Sequence, residues 1–417
     1  MNRRRFLKTG LQAAALGLWP LAQKAQAELR KMKITRIRLY ESPINRPIIN
    51  QSHHILTVET DAGITGIGEG GTADLIRDCG VQLIGKDPTK IEALWQLMYR
   101  GYFYPPGREK IHALGGLDMA LWDIKGKALG VPVHELLGGV ARDYIECYAT
   151  GYPANGRSVR DTARACIDAG FRAYRTSVLD PGRSPAGGPG AYAPFISQEA
   201  VVQTFEHCKE VREGVGGPAR WAIDYHTRLD FPDAVRLSTL IEPLEPYFVE
   251  DLVRSENPGV YRQLRPMVKV PIAVGEQFAD RWDGLHELVE GRLIDYSRVT
   301  IPNCGGITEY MKQAAICETH YVGLIPHFTG PIAEAALVHC TSVFSGPVLM
   351  EMRGEGPLEA RYLKQSFDFR GGKLFPNQRP GLGVDFDPTG LNLLAEVTQG
   401  ATPLPLFRRP DGSLTNW

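Results

Sequence analysis

Three carboxylates in this 417-residue chain fall at a constant interval. Asp224 closes Trp221-Ala-Ile-Asp, Glu250 closes Tyr247-Phe-Val-Glu, and Glu276 closes Ile272-Ala-Val-Gly-Glu, with 26 residues from each to the next. Each ends a short apolar run, and the interval is the length of one strand plus one helix. Continuing the count reaches Thr300, His327 and Glu351, at steps of 24, 27 and 24. Carboxylates that leave room for water and substrate oxygens are hard ligands, which makes Mg²⁺ the first choice and Mn²⁺ the alternative. An acidic residue after an apolar strand is often only a helix cap or an ion-pair partner. Three in register at equal spacing argue against that for the set. Asp251 follows Glu250 directly, so a slip of one residue stays open there; Glu250 is kept because it adjoins the apolar run.

The elements that must position these groups are legible as well. From about residue 144, β-branched runs at 173–178, 220–224, 247–250, 272–276, 296–301, 323–326 and 348–351 alternate with amphipathic helices. Repeated strand–helix–strand order implies a parallel sheet, and seven or eight units predict a closed (β/α) barrel. Such a barrel gathers the C-terminal ends of its strands around one mouth, so residues far apart in sequence converge there. Upstream, strands at 34–40, 54–60 and 64–69, with a turn at Asp61-Ala-Gly63, read as an antiparallel meander. Helices at 72–84, 88–99 and 112–129 follow, the last stopping at Gly130, which makes this part an α+β domain.

Charge and composition bound the partners. Lys plus Arg and Asp plus Glu both number 47, and 43% of residues are hydrophobic, so the chain can bury the cores of two or three domains. That balance excludes disorder and lacks the basic footprint of nucleic-acid or anionic-membrane binding, leaving small molecules. The first 27 residues read as an export signal: Arg3 to Arg5, an apolar run over 11–22, then Ala25-Gln-Ala. The order Arg-Arg-x-Phe-Leu-Lys resembles the twin-arginine type, which carries folded proteins and here implies a periplasmic location. No other stretch is long and apolar enough to span a membrane. Seven scattered cysteines, with no CxxC pair, read as mostly buried thiols.

Four segments carry a family resemblance: Gly115-Gly-Leu-Asp-Met-Ala-Leu-Trp-Asp-Ile-Lys-Gly-Lys, Val274-Gly-Glu-Gln, Cys304-Gly-Gly-Ile-Thr-Glu and Pro380-Gly-Leu-Gly-Val-Asp. The chain resembles the enolase superfamily, within it the mandelate racemase and sugar-acid dehydratase group, over essentially its whole mature length. The resemblance implies an α/β fold: a modified (β/α)₇β TIM barrel over 141–380, an α+β capping domain over 28–140, and a segment over 381–417 returning to the cap. It also implies Mg²⁺ at Asp224, Glu250 and Glu276, chemistry that begins with removal of the proton α to a carboxylate, and a homo-oligomer, dimer or octamer.

The acid/base groups narrow the reaction. Many relatives end strand two with Lys-x-Lys, but this chain has Arg175 and Ser177 in Ala173-Tyr-Arg-Thr-Ser. Thr300 stands where racemase-like members carry an Asp, so His327 lacks that partner. The remaining pattern resembles the mannonate dehydratase subgroup: Asp224-Tyr-His226-Thr-Arg228 after strand three, Arg175 on strand two, and a Tyr from the glycine-rich stretch 181–194, for which Tyr192 is the candidate. The Arg175 cation beside a phenol would lower its pKa, which would make Tyr192 the base and Arg175 a catalytic residue with it. His226 is then the acid for the departing hydroxyl, with His327 as a further catalytic group and Glu351, Arg298 and Arg228 as substrate contacts. Residues 45–54 and 102–104 match the positions from which relatives select substrate. The expected reaction is dehydration of a sugar acid to a 2-keto-3-deoxy acid. The alternatives are another enolate reaction through His226 and His327, such as epimerisation, racemisation or cycloisomerisation, and a non-catalytic exported sugar-acid binder.

Overall fold

The computed structural model describes residues 32–43, 54–101, 104, 106–179, 195–354, 356–357, 360–364, 367–401 and 407–415. The leader, Tyr192, residues 45–53 and residues 102–103 lie outside the described residues.

The barrel is an unbroken ring of parallel strands. Ile145–Thr150, Ala173–Ser177, Trp221–Asp224, Val249–Glu250, Ile272–Val274, Tyr296–Ser297 and Gly323–Leu324 pair in sequence order. The last strand, Met350–Arg353, pairs with the first, and a bridge from Leu324 to Val348 closes the circle. Helices Val159–Asp168, Ser197–Val215, Phe231–Ile241, Tyr261–Leu264, Leu285–Glu290, Ile307–Thr319 and Pro331–Val343 fill the intervals, giving (β/α)₇β order. The barrel is a packed core rather than a pore: Tyr148, Ala173, Ala222, Phe248, Ala273, Ile325 and Leu349 fill its interior. Several strands stop short of the apolar runs that announced them. The 296–301 run is regular only over Tyr296–Ser297, after which single bonds such as Arg298 N to Val274 O, 2.9 Å, continue as the strands splay toward the mouth.

The cap is a four-stranded antiparallel sheet. Ile34–Tyr40 lies between Ile55–Thr60 and the C-terminal strand Leu393–Val397, and Thr65–Glu69 completes it. Helices Ala73–Gly80, Ile91–Arg100 and Arg108–Leu129 pack on the sheet around a separate core. The 22-residue helix Arg108–Leu129 also seals cap to barrel. Its buried Asp118 accepts from Thr308 N, 2.9 Å, and Thr308 Oγ1, 2.6 Å. Gly306, at φ +95°, permits that approach, because a Cβ there would collide with the Asp118 carboxylate. Asp123 accepts from Ile67 N, 3.0 Å, and Leu382 N, 2.8 Å, and pairs with Lys127 Nζ at 2.6 Å. Glu69 accepts from Ile332 N and Ala333 N, placing a carboxylate at the N-terminus of helix Pro331–Val343. All seven cysteines are buried free thiols. Among the described residues no helix is long and apolar enough to cross a membrane.

A buried histidine pair ties the cap–barrel connection together. His134 Nδ1 lies 3.0 Å from His339 Nδ1, and His339 Nε2 lies 3.2 Å from the carbonyl oxygen of Leu382. With Nε2–H donating to that carbonyl, His339 Nδ1 accepts, which requires a neutral ring. Burial pushes His339 down from 6.5 to about 4. A folded-state value below the unfolded one means that the unfolded chain binds the extra proton first. Stability is therefore lost as pH falls from about 6.5 toward about 4, by about 3 kcal/mol at the limit. Urea unfolding at pH 7.5 and pH 4.5 checks this, and in His339→Gln the pH slope flattens; an unchanged slope would show that the pair does not govern it.

Candidate active site

Register decides which side chains meet at the mouth. In the parallel ladder Thr150 is opposite Arg175, Asp224 opposite Glu250, and Glu351 opposite Tyr148, which fills the barrel interior. Glu250 is opposite the interior residue Ala273 and thus points inward too. By alternation from Ala273, position 275 points inward and Glu276 outward. Gly275 breaks the alternation at φ +155°: a Cβ there would lie 2.5 Å from Val299 N, so only glycine lets the backbone close up. Glu276 turns into the mouth, where single carboxylate oxygens of Glu250, Asp251 and Glu276 lie within 4.8 Å of one another. Asp251 reaches that cluster because its own φ is +44°.

Two guanidiniums hold the carboxylates. Arg175 Nη1 lies 2.7 Å from Glu250 Oε1, 3.2 Å from Asp224 Oδ2 and 3.6 Å from Glu351 Oε1. Arg298 Nη2 lies 2.8 Å from Glu250 Oε1, 2.9 Å from Glu276 Oε2 and 2.8 Å from Glu351 Oε2, while its Nη1 donates to Tyr148 Oη at 2.5 Å. Burial alone would lower both arginines, but the surrounding carboxylates push them well above their ordinary values, so both stay charged. Burial raises Glu250 far above the carboxylate range despite Arg175 and Arg298. Burial also works to raise Glu276, but His327 and Arg298 outweigh it and hold that group low.

The two histidines flank one carboxylate. His226 Nε2 lies 4.0 Å from Glu276 Oε1, and His327 Nε2 lies 3.6 Å from Glu276 Oε2. His226 sits on an unusual turn: it and Thr227 both have positive φ, +48° and +56°, a conformation that costs non-glycine residues energy and clusters at functional sites. Asp224 Oδ1 secures the turn by accepting from His226 N at 2.6 Å, and Thr227 N donates to Asp251 O at 2.9 Å. The His226 side chain is left 57% exposed, open to the mouth. His327 does lack a carboxylate partner in the strand-six position, since Thr300 Oγ1 donates to its backbone carbonyl and its buried Nδ1 has no hydrogen-bond partner among the described residues.

Three of the expected site residues lie deep beneath the mouth. Arg298 is completely buried among the carboxylates. Glu351, 1% exposed, is likewise internal, bonded to Arg298, Thr150 Oγ1 and Phe328 N. Arg175 is an internal counter-charge, its Nη1 already shared among three carboxylates. Arg228 remains exposed on the loop after Asp224. Tyr148 and Thr150 are site residues that motif reasoning missed; their signal was parity, since they alternate inward along Ile145–Thr150.

The donor set suits a divalent cation. Five carboxylates (Asp224, Glu250, Asp251, Glu276, Glu351) face two guanidiniums, and the buried Glu250 Oε2 has no hydrogen-bond partner among the described residues. An uncompensated, buried, all-oxygen cluster is what a hard cation neutralises.

Residues 158–390 match the family model described as "Enolase C-terminal domain-like", and residues 44–138 match the mandelate racemase / muconate lactonizing enzyme N-terminal domain. The chain belongs to the enolase superfamily. Among its relatives, a D-galactonate dehydratase of Ralstonia pickettii is 34% identical over 93% of this chain and 100% of that protein. A D-mannonate dehydratase of Caulobacter vibrioides is 34% identical over 87% of this chain and 95% of its own length. The crystal structure of an enolase from Pantoea ananatis with bound D-gluconate and Mg superposes with a TM-score of 0.73 at 25% identity, over 92% of this chain and all of that one. With dehydratases as its relatives, this enolase superfamily member is a carbon–oxygen lyase of the hydro-lyase kind.

Proposed function

We propose that this enzyme is a Mg²⁺-dependent dehydratase of a sugar acid of the mannonate, gluconate or galactonate kind, removing the α-proton and expelling the 3-hydroxyl to leave a 2-keto-3-deoxy acid. The observation that carries it is Glu276, a carboxylate of the acidic cluster, standing between two histidines in a barrel whose second strand carries Arg175 and Ser177. The relatives' dehydratase names support the same reading.

The α-proton of a carboxylate is weakly acidic because its removal puts a second negative charge on an anion. Glu250 and Glu276, with Asp224 as third ligand, would hold a divalent cation, which would supply positive charge where that second charge develops. Arg175 and Arg298 hold the carboxylates in place from within the barrel. His226, exposed to the mouth, donates the proton to the leaving hydroxyl at its Nε2 face. Tyr192 is proposed as the base on its sequence position alone. Arg228, on the same loop as His226, is proposed to meet the substrate. The Arg3-Arg-Arg-Phe-Leu-Lys leader supports a periplasmic site of action; recovery of unprocessed chain only from the cytoplasmic fraction would overturn that placement.

The test incubates the leader-free enzyme with Mg²⁺ and a panel of hexonates, pentonates and aldarates, trapping 2-keto-3-deoxy acids by their carbonyl. Product that disappears in Tyr192→Phe and His226→Asn supports dehydration with these assignments. The placement of His226 and His327 against different oxygens of Glu276 favours a second reading, α-proton exchange between the two rings. Solvent deuterium entering recovered substrate, with no keto acid formed, would select it.

A further inference from the structure

Each clustered glutamate presents its two oxygens to different surroundings. Glu250 Oε1 is taken by Arg175 and Arg298, whereas its Oε2 is buried with no hydrogen-bond partner among the described residues. Glu276 Oε2 is held by Arg298 and lies 3.6 Å from His327 Nε2, whereas its Oε1 faces His226 Nε2 at 4.0 Å. One nitrogen, Arg298 Nη2, therefore fastens one oxygen of each glutamate. The guanidinium is anchored in turn by Tyr148 Oη at 2.5 Å, by Ile325 O at 3.3 Å and by Glu351 Oε2 at 2.8 Å. Glu351 is itself fixed through its other oxygen by Thr150 Oγ1 and Arg175. These contacts join first, sixth, seventh and eighth strands of the barrel beneath the mouth.

We infer that Arg298 is the positioning residue of the metal site: it holds Glu250 and Glu276 by one oxygen each so that the other oxygens converge on a divalent cation. A buried arginine is suited to this because its planar fork stays charged and serves several carboxylates in fixed directions, which a lysine ammonium does not reproduce. Groups that orient metal ligands from behind are worth roughly 10- to 100-fold in metal affinity. The inference rests on the proposed metal site.

The experiment is calorimetric titration of the leader-free enzyme with Mg²⁺, and with Mn²⁺ followed by electron paramagnetic resonance, in wild type, Arg298→Met, Arg298→Lys, Glu351→Gln and Glu250→Gln. The expected order is wild type tightest, Arg298→Lys and Glu351→Gln weaker by about 10-fold, and Arg298→Met weaker by up to about 100-fold. If Arg298→Met fails to fold by circular dichroism, Arg298→Lys and Glu351→Gln carry the decision. Wild-type affinity in the folded Arg298 variants, while Glu250→Gln loses metal, overturns the role of Arg298 alone. Undiminished metal binding in Glu250→Gln overturns the metal-site reading on which it rests.

Discussion

Glu276→Gln is expected to lower turnover of the best sugar acid by at least about a thousandfold, equivalent to about 4 kcal/mol of transition-state stabilisation. The substitution keeps shape and removes charge from the group that Arg298 fastens and both histidines face. An amide oxygen can still accept from Arg298, so the fold should survive and the loss should appear in kcat rather than in the melting temperature. Asp224→Asn should fall in the same class. Asp251→Asn should cost less than about tenfold, since Asp251 is placed one residue beyond the strand-end ligand and its backbone carbonyl already serves the Thr227 turn. Kinetics of the three variants at saturating Mg²⁺ settle the ligand set. Equal losses for Asp224→Asn and Asp251→Asn would move the third ligand by one position, and near-wild-type turnover in Glu276→Gln would remove the metal from the reaction.

The second large effect concerns stability. Asp123→Ala should lower the free energy of unfolding by about 3–5 kcal/mol, because it strands Lys127 and two buried amides at once. Those amides belong to a cap strand and to the segment after the barrel, so the damage is to the joint rather than to either core. A fall in the urea midpoint with an unchanged m-value would report it. A change below about 1 kcal/mol would mean that burial of Asp123 costs nearly what its bonds return.

These two carboxylates mark what was legible in the sequence. The strand–helix alternation announced the barrel because parallel strands buried on both faces must be nearly continuous apolar runs. The 26-residue steps announced the carboxylate ring because each step is one strand and one helix. The motif with Asp118 and Asp123 was equally visible, but its work is docking: Asp118 meets the segment Cys304-Gly-Gly, and Asp123 meets Pro380-Gly-Leu. Segments that carry a family resemblance therefore need not carry its chemistry. Illegible were the backbone reversals, since alternation from Ala273 points Glu276 the wrong way until Gly275 adopts its positive φ. Arg298 was legible as a site residue but its partners were not: in Tyr296-Ser-Arg-Val-Thr nothing local says that three carboxylates from other strands await it. Sequence-adjacent context does not encode which charges a closed ring brings together.

The cap sheet has a temporal consequence. Its strand Ile34–Tyr40 is among the first segments made, yet its partner Leu393–Val397 is among the last, and Arg38 reaches Glu396 across that whole span at 2.9 Å. During synthesis the nascent cap carries an unpaired edge while the entire barrel emerges and closes. The cap sheet therefore cannot be completed until residues beyond the barrel have been made, and an isolated N-terminal fragment lacks one strand of its own sheet.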